Sequence, residues 1–182
     1  DLERSAQRAQ QRGGVAAAAT FLERATALTA DPGMRGTRAL AAAQAKRDAA
    51  DASAAHALLS IAETSDVSPL QQAQVARLRA QMDFVRSRSG ETGAPRVADT
   101  AAALLDAARR LERLDDYSSR ECYLEAIAAL IYAGRLADPP ALQQVAEAAL
   151  CGQLQLVAPG EGDLAGQLGT REVVPRRGDR RL

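Results

Sequence analysis

The chain has 182 residues, of which 47% are hydrophobic and 3% aromatic, and its 23 basic side chains balance 23 acidic ones. That length suits one domain with a continuous core, and the balanced charge supplies no global field to recruit nucleic acid or an anionic membrane. With no Trp and few aromatics, the core must come from Leu, Val, Ile and closely approaching Ala, which favours paired helices over a sandwich or barrel.

In chain order, residues 1–12 are polar and helix-compatible, and Gly13-Gly14 offers a C-cap. A helix over 15–30 follows, with Ala18, Leu22, Ala25, Phe21 and Leu28 expected inward. Asp31 and Pro32 cap and open the next helix. The stretch 38–63 reads as two amphipathic helices joined at Ala49-Ala50-Asp51, the second carrying Ala55, Leu58, Leu59 and Ala62 at i, i+3, i+4 and i+7. Ser68-Pro69-Leu70-Gln71 is a capping-box start. The helix it opens runs to Arg88 with Val75, Leu78, Met82 and Val85 expected on one face.

Residues 89–96 (SGETGAPR) read as a loop insertion. A helix over 98–113 then carries Ala101, Leu105 and Ala108. Ser118 and Glu121 form a second capping box, opening a helix with Cys122 or Tyr123, Ile127, Leu130 and Ile131 inward and Gly134 at its end. Asp138-Pro139 starts one more helix, with Ala141, Val145 and Ala148 on its stripe.

One pattern recurs through these elements. From Gly13 a small or apolar residue falls at +5, +9 and +12 (Ala18, Leu22, Ala25), and from Ala50 the same spacing lands on Ala55, Leu59 and Ala62. The Ala-xxx-apolar-xx-Ala signature begins at Ala18, Ala55, Ala101 and Ala141, at intervals of 37, 46 and 40 residues. A hairpin this short cannot bury its face alone, so neighbours stack. The rival arrangement is a plain helix bundle with accidental alanine spacing. The expected fold is all-α: stacked antiparallel helix hairpins, tetratricopeptide-like, in a right-handed superhelix of about eight helices.

Two regions are expected: a helical-repeat array over 1–151 and a Gly/Arg-rich tail over 152–182. The tail holds six of the 13 glycines and closes with REVVPRRGDRRL. A flexible tail is the first reading; a partly folded segment on the last hairpin and a non-native reading frame are the others. Only Lys46 is a lysine, an arginine bias that with the alanine excess reads as GC-rich coding. The chain opens at Asp1 inside a helical pattern, so a segment of a longer protein is expected.

No residue is assigned a catalytic, cofactor-binding or metal-binding role. His56, the single histidine, stands at the edge of the apolar stripe without partners in sequence. Glu121 and Glu125 form an i, i+4 carboxylate pair, for which capping and pairing with Arg120 are the expected uses. Asp115-Asp116 ends one helix and starts another. Cys122 and Cys151 have neither CxxC nor metal-ligand spacing and read as reduced thiols. GxxxxGK[ST], GxSxG, HExxH and DxDxDG patterns are missing. Arg177-Gly178-Asp179 reads as a chance tripeptide, and the terminal arginines as a solvated tail without direct nucleic-acid contact. No apolar run reaches bilayer-spanning length and no signal peptide opens the chain, so a cytoplasmic setting away from membranes is expected.

The wording of the repeats carries a resemblance. LERSAQRAQQRGGVAAAATFLERATALTADP, RALAAAQAKRDAADASAAHALLSIAE and AARRLERLDDYSSRECYLEAIAALIYAGRL resemble the central region of large LuxR-type ATP-binding transcriptional regulators. The resemblance covers about residues 1–149. It implies a tetratricopeptide-like array between a P-loop ATPase and a DNA-binding helix-turn-helix. ATP is then a ligand of the parent protein rather than of this segment, since the ATPase and DNA-binding residues have no counterpart here. The implied role is regulatory: binding of a protein or small-molecule effector through the repeat surface, without catalysis. A stand-alone tetratricopeptide-like adaptor between proteins is the alternative.

Overall fold

The structure, a computed structural model, describes residues 1–134. Regular structure among them is helical throughout: α1 Leu2–Gln11, α2 Val15–Ala27, α3 Pro32–Asp48, α4 Ala52–Glu63, α5 Pro69–Arg88, α6 Val97–Leu111 and α7 Asp116–Gly134. The all-α expectation holds for this part. The expected helix from Asp138, Cys151 and the 152–182 tail lie outside the described residues.

Local chemistry sets the boundaries. Asp31 caps α3 by accepting from the Met34 amide at 2.7 Å, with Pro32 at the first helical position. Asp51 caps α4 through the Ala54 amide, and Ser68 and Gln71 close a full capping box on α5. The small residues that open the repeat spacing turn out to be helix stops. Gly13 and Ala50 both take the left-handed conformation, at φ 77° and 60°. Each lies in a Schellman arrangement: Gly14 N–H donates to Ala9 C=O and Asp51 N–H to Lys46 C=O, both at 2.9 Å.

The start of α7 departs from expectation. Asp115, not Ser118, is the cap: its carboxylate accepts from the Ser118 amide at 3.1 Å and the Ser118 hydroxyl at 2.7 Å. Ser118 and Ser119 are thereby drawn into the first turn, where the buried Ser119 hydroxyl donates to Ala108 C=O of α6 at 3.0 Å.

Consecutive helices pack on one another through short connections, which make neighbours antiparallel. The α4–α5 contact is the sparsest, and α5 also approaches α3 and α7. Two cores share α5. One joins Ala39, Leu40 and Ala43 of α3, Ala55, Leu58, Leu59 and Ala62 of α4, and Val75, Leu78 and Met82 of α5. The other joins Ala73 and Ala80 of α5 with Leu104, Leu105 and Leu111 of α6 and Cys122, Tyr123 and Leu130 of α7. Helix α5 thus buries two faces. An alanine methyl yields about 0.8 kcal/mol on burial against roughly 1.5–3 for leucine, so these alanine faces depend on close helix approach.

The signature alanines of α2, α4 and α6 are all buried. Four neighbours expected inward are not: Phe21, Leu28, Val85 and Ile131 are exposed. In each case a smaller residue on another side of the helix fills the interface, Ala19 in α2, Ala80 in α5 and Ala129 in α7. At Gly36 the α4–α5 loop comes so close that a Cβ would meet the Ser65 Cβ at 2.3 Å.

Candidate binding cleft

One set of polar side chains meets between alternate helices. Glu3 of α1 accepts from Arg38 of α3 at 2.7 Å. The Gln71 amide of α5 donates to the Thr37 hydroxyl of α3 at 3.0 Å, and Arg47 of α3 donates to Gln81 of α5. Gln81 donates in turn to Glu125 of α7 at 2.8 Å. The steps in sequence are 35 residues for Arg38–Glu3, 34 for Gln71–Thr37 and Arg47–Gln81, and 44 for Gln81–Glu125. The long step contains the 89–96 loop.

Where α3, α5 and α7 lie side by side, this ladder lines a cleft of about 440 Å³ walled by Gln44, Arg47, Gln74, Arg77, Gln81, Ser118, Glu121 and Glu125. Arg77 is its anchor. Its side chain is 16% exposed. Nε donates to Glu125 at 3.1 Å, and Nη2 donates to Glu125 at 2.5 Å and to Glu121 at 3.2 Å. Burial by itself lowers the guanidinium's pKa, but hydrogen bonding and charge from Glu125, then Glu121, outweigh it and leave Arg77 raised. Glu121 is held below the ordinary carboxylate range by the Tyr117 hydroxyl first and Arg77 second.

Gln44 and Gln74 are half-buried, and their amides face the cleft free of side-chain bonds to the described residues. Two arginines face two glutamates, so the cleft carries no strong net charge. It offers hydrogen-bond donors and acceptors in register. Polar groups of this kind suit the amide backbone of an extended chain. A larger groove of about 790 Å³ between α2 and α4 is lined by Ala54, Leu58 and Ile61 together with Glu23, Arg35 and Asp66.

The structure separates the residues singled out in sequence. Glu121 and Glu125 do form an ion pair, but with Arg77 of another helix; Arg120 is exposed and takes no part. His56 lies on α4, where Arg79 of α5 donates to its Nδ1 at 2.9 Å, placing the ring proton on Nε2, which is buried without a partner among the described residues. Burial first, then the charges of Arg79 and Arg86, lower its pKa. The Cys122 thiol is buried 3.1 Å from Leu104 C=O, and burial pushes it up to about 12. No group of three metal-ligating side chains occurs among the described residues. Nor is any described helix long and apolar enough to cross a membrane.

The cleft residues Gln44, Arg47, Gln74, Arg77 and Gln81 went unmarked in sequence. One signal pointed to them: Gln44 and Gln81 lie 37 residues apart, the interval between the first two apolar signatures. No family model, curated protein or solved structure matches this chain.

Proposed function

We propose that this chain is the regulatory interaction segment of a LuxR-type transcriptional regulator, a tetratricopeptide-like superhelix whose inner face binds a protein or small-molecule effector without catalysis. The observation that carries the binding reading is the cleft, where three alternate helices present amide and guanidinium groups toward one space. Closer approach among α3, α5 and α7 than among α2, α4 and α6 supports a stack curved toward the odd-numbered helices. The 37-residue interval, kept by the caps Asp31 and Ser68 of α3 and α5, is close to the length of a tetratricopeptide unit. The wording of the repeats supports the regulator family.

In this reading the effector is an extended peptide segment, because glutamine amides pair with peptide N–H and C=O groups. Occupancy favours one placement of the array relative to its neighbouring ATPase and DNA-binding domains. ATP chemistry then belongs to the parent protein, in a cytoplasmic setting.

Two experiments test this. A phage-displayed peptide library selected on the 182-residue chain should yield binders whose affinity falls at least about 10-fold, roughly 1.4 kcal/mol, in a Gln44→Ala/Gln74→Ala variant. Binders indifferent to that variant place recognition elsewhere. The parent open reading frame should encode a P-loop upstream and a helix-turn-helix downstream; if it encodes neither, the adaptor reading replaces the regulator.

A further inference from the structure

Both guanidinium groups of the cleft are committed to the protein itself. Arg77 gives Nε and Nη2 to Glu125, Nη2 also to Glu121 at 3.2 Å, and turns Nη1 to Ser118 C=O at 3.5 Å. Arg47 gives Nε and Nη2 to Asp48, at 3.0 and 2.9 Å, and Nη1 to Gln81. The carboxylates are less well matched. The cleft walls balance, Arg47 and Arg77 against Glu121 and Glu125, but two more carboxylates stand just behind them. Asp48 takes up Arg47, and Asp115, capping α7 through Ser118, lies close enough for its charge to act on Glu121. Asp48, Asp115, Glu121 and Glu125 therefore share Arg47 and Arg77, and no other cation among the described residues ion-pairs with them. The α7 N-terminus offsets only about half a unit of this excess.

Glu121 is the carboxylate placed to use that excess. Its side chain is 44% exposed, against 32% for Glu125. It holds Arg77 through one contact at 3.2 Å, whereas Glu125 holds it through two, at 3.1 and 2.5 Å. It also lines the same cleft as the half-buried Gln44 and Gln74. We propose, resting on the peptide reading of the cleft, that it selects peptides carrying a lysine or arginine, whose cation sits against Glu121 while Gln44 and Gln74 pair with the peptide backbone. A cation at this point meets an accessible carboxylate and a local negative field. An acidic side chain meets the same field, with both guanidinium groups already taken.

Peptides selected from a phage-displayed library on the 182-residue chain test it, taking those that lose affinity in the Gln44→Ala/Gln74→Ala variant. They should share a lysine or arginine at one fixed position. A synthetic copy with that residue replaced by norleucine should bind at least about 5-fold more weakly. Glu121→Gln should weaken the basic peptide by a similar factor and leave the norleucine peptide unchanged. Cleft-dependent peptides with no shared basic residue overturn the proposal and leave the cleft standing. A Glu121→Gln variant that weakens both peptides alike, or neither, also overturns it, since Glu121 then supports the fold or stands idle instead of meeting the cation. If no selected peptide depends on Gln44 and Gln74, the peptide reading of the cleft fails and the proposal falls with it.

Discussion

Arg77 of α5 holds Glu125 of α7 through two guanidinium nitrogens, across 48 residues of sequence. The same guanidinium reaches Glu121, so one half-buried cation ties both carboxylates of the i, i+4 pair. Removing it leaves two carboxylates facing each other without a counter-charge. Arg77→Met should destabilise the chain by about 1–3 kcal/mol, read as a urea midpoint shift. Glu125→Gln should cost less, and the double variant should fall well short of the sum. Additive losses would show that the pair is not coupled.

Ala50 is the strained stop between α3 and α4. A left-handed residue with a Cβ costs about 1–2 kcal/mol, part of which glycine returns as unfolded-chain entropy. Ala50→Gly should raise stability by about 0.5–1 kcal/mol, roughly 2–4 °C in Tm. Gly13→Ala at the equivalent turn should lower it. A neutral or negative Ala50→Gly would mean that the turn relaxes in solution.

Gly36 answers in the opposite sense. An alanine within a helix ordinarily gains about 0.5–1 kcal/mol over glycine, but here its methyl would meet Ser65 Cβ at 2.3 Å and Val67 Cγ1 at 2.8 Å. Overpacking of this kind costs about 1–3 kcal/mol, so Gly36→Ala should be net destabilising by thermal melting. A stabilised variant would show that the α4–α5 loop yields freely.

With its thiol pushed up to about 12 by burial, Cys122 stays protonated at neutral pH, and the thiolate is the reactive form. Iodoacetamide should leave Cys122 unmodified in the native chain and alkylate it after denaturation, as read by peptide mapping. Native-state alkylation at the rate of an exposed thiol would place Cys122 outside the core.

His56 sets a pH dependence. Its folded pKa is lowered from the ordinary 6.5 by burial first and then by Arg79 and Arg86, against weaker pull from Asp83 and Glu91. Between the lowered value and 6.5 the unfolded chain takes up a proton that the folded ring refuses. Stability therefore falls as pH drops below 6.5, and the loss is complete once both states are protonated. The urea midpoint should fall between about pH 7.5 and 5.5, and His56→Gln should shrink that fall. An equal fall in the variant would trace it to the carboxylates instead.

What the sequence by itself determined is local. Helix starts at Asp31 and Ser68, the joint at Ala49-Ala50-Asp51 and the stop at Gly13 were legible because a cap is made by a residue and partners within one turn. The alanine signature was legible for the same reason, since 3.6-residue periodicity belongs to one helix. Tertiary structure decided which faces met. Hydropathy ranks Phe21, Val85 and Ile131 above Ala73 and Ala80, yet the alanines are buried and the larger three exposed. The reason is that close packing selects residues by the space a neighbouring backbone leaves rather than by transfer energy alone. It also decided that Glu121 and Glu125 pair with Arg77 rather than Arg120, because an ion pair between helices depends on register, and register is set by the cores on either side of α5.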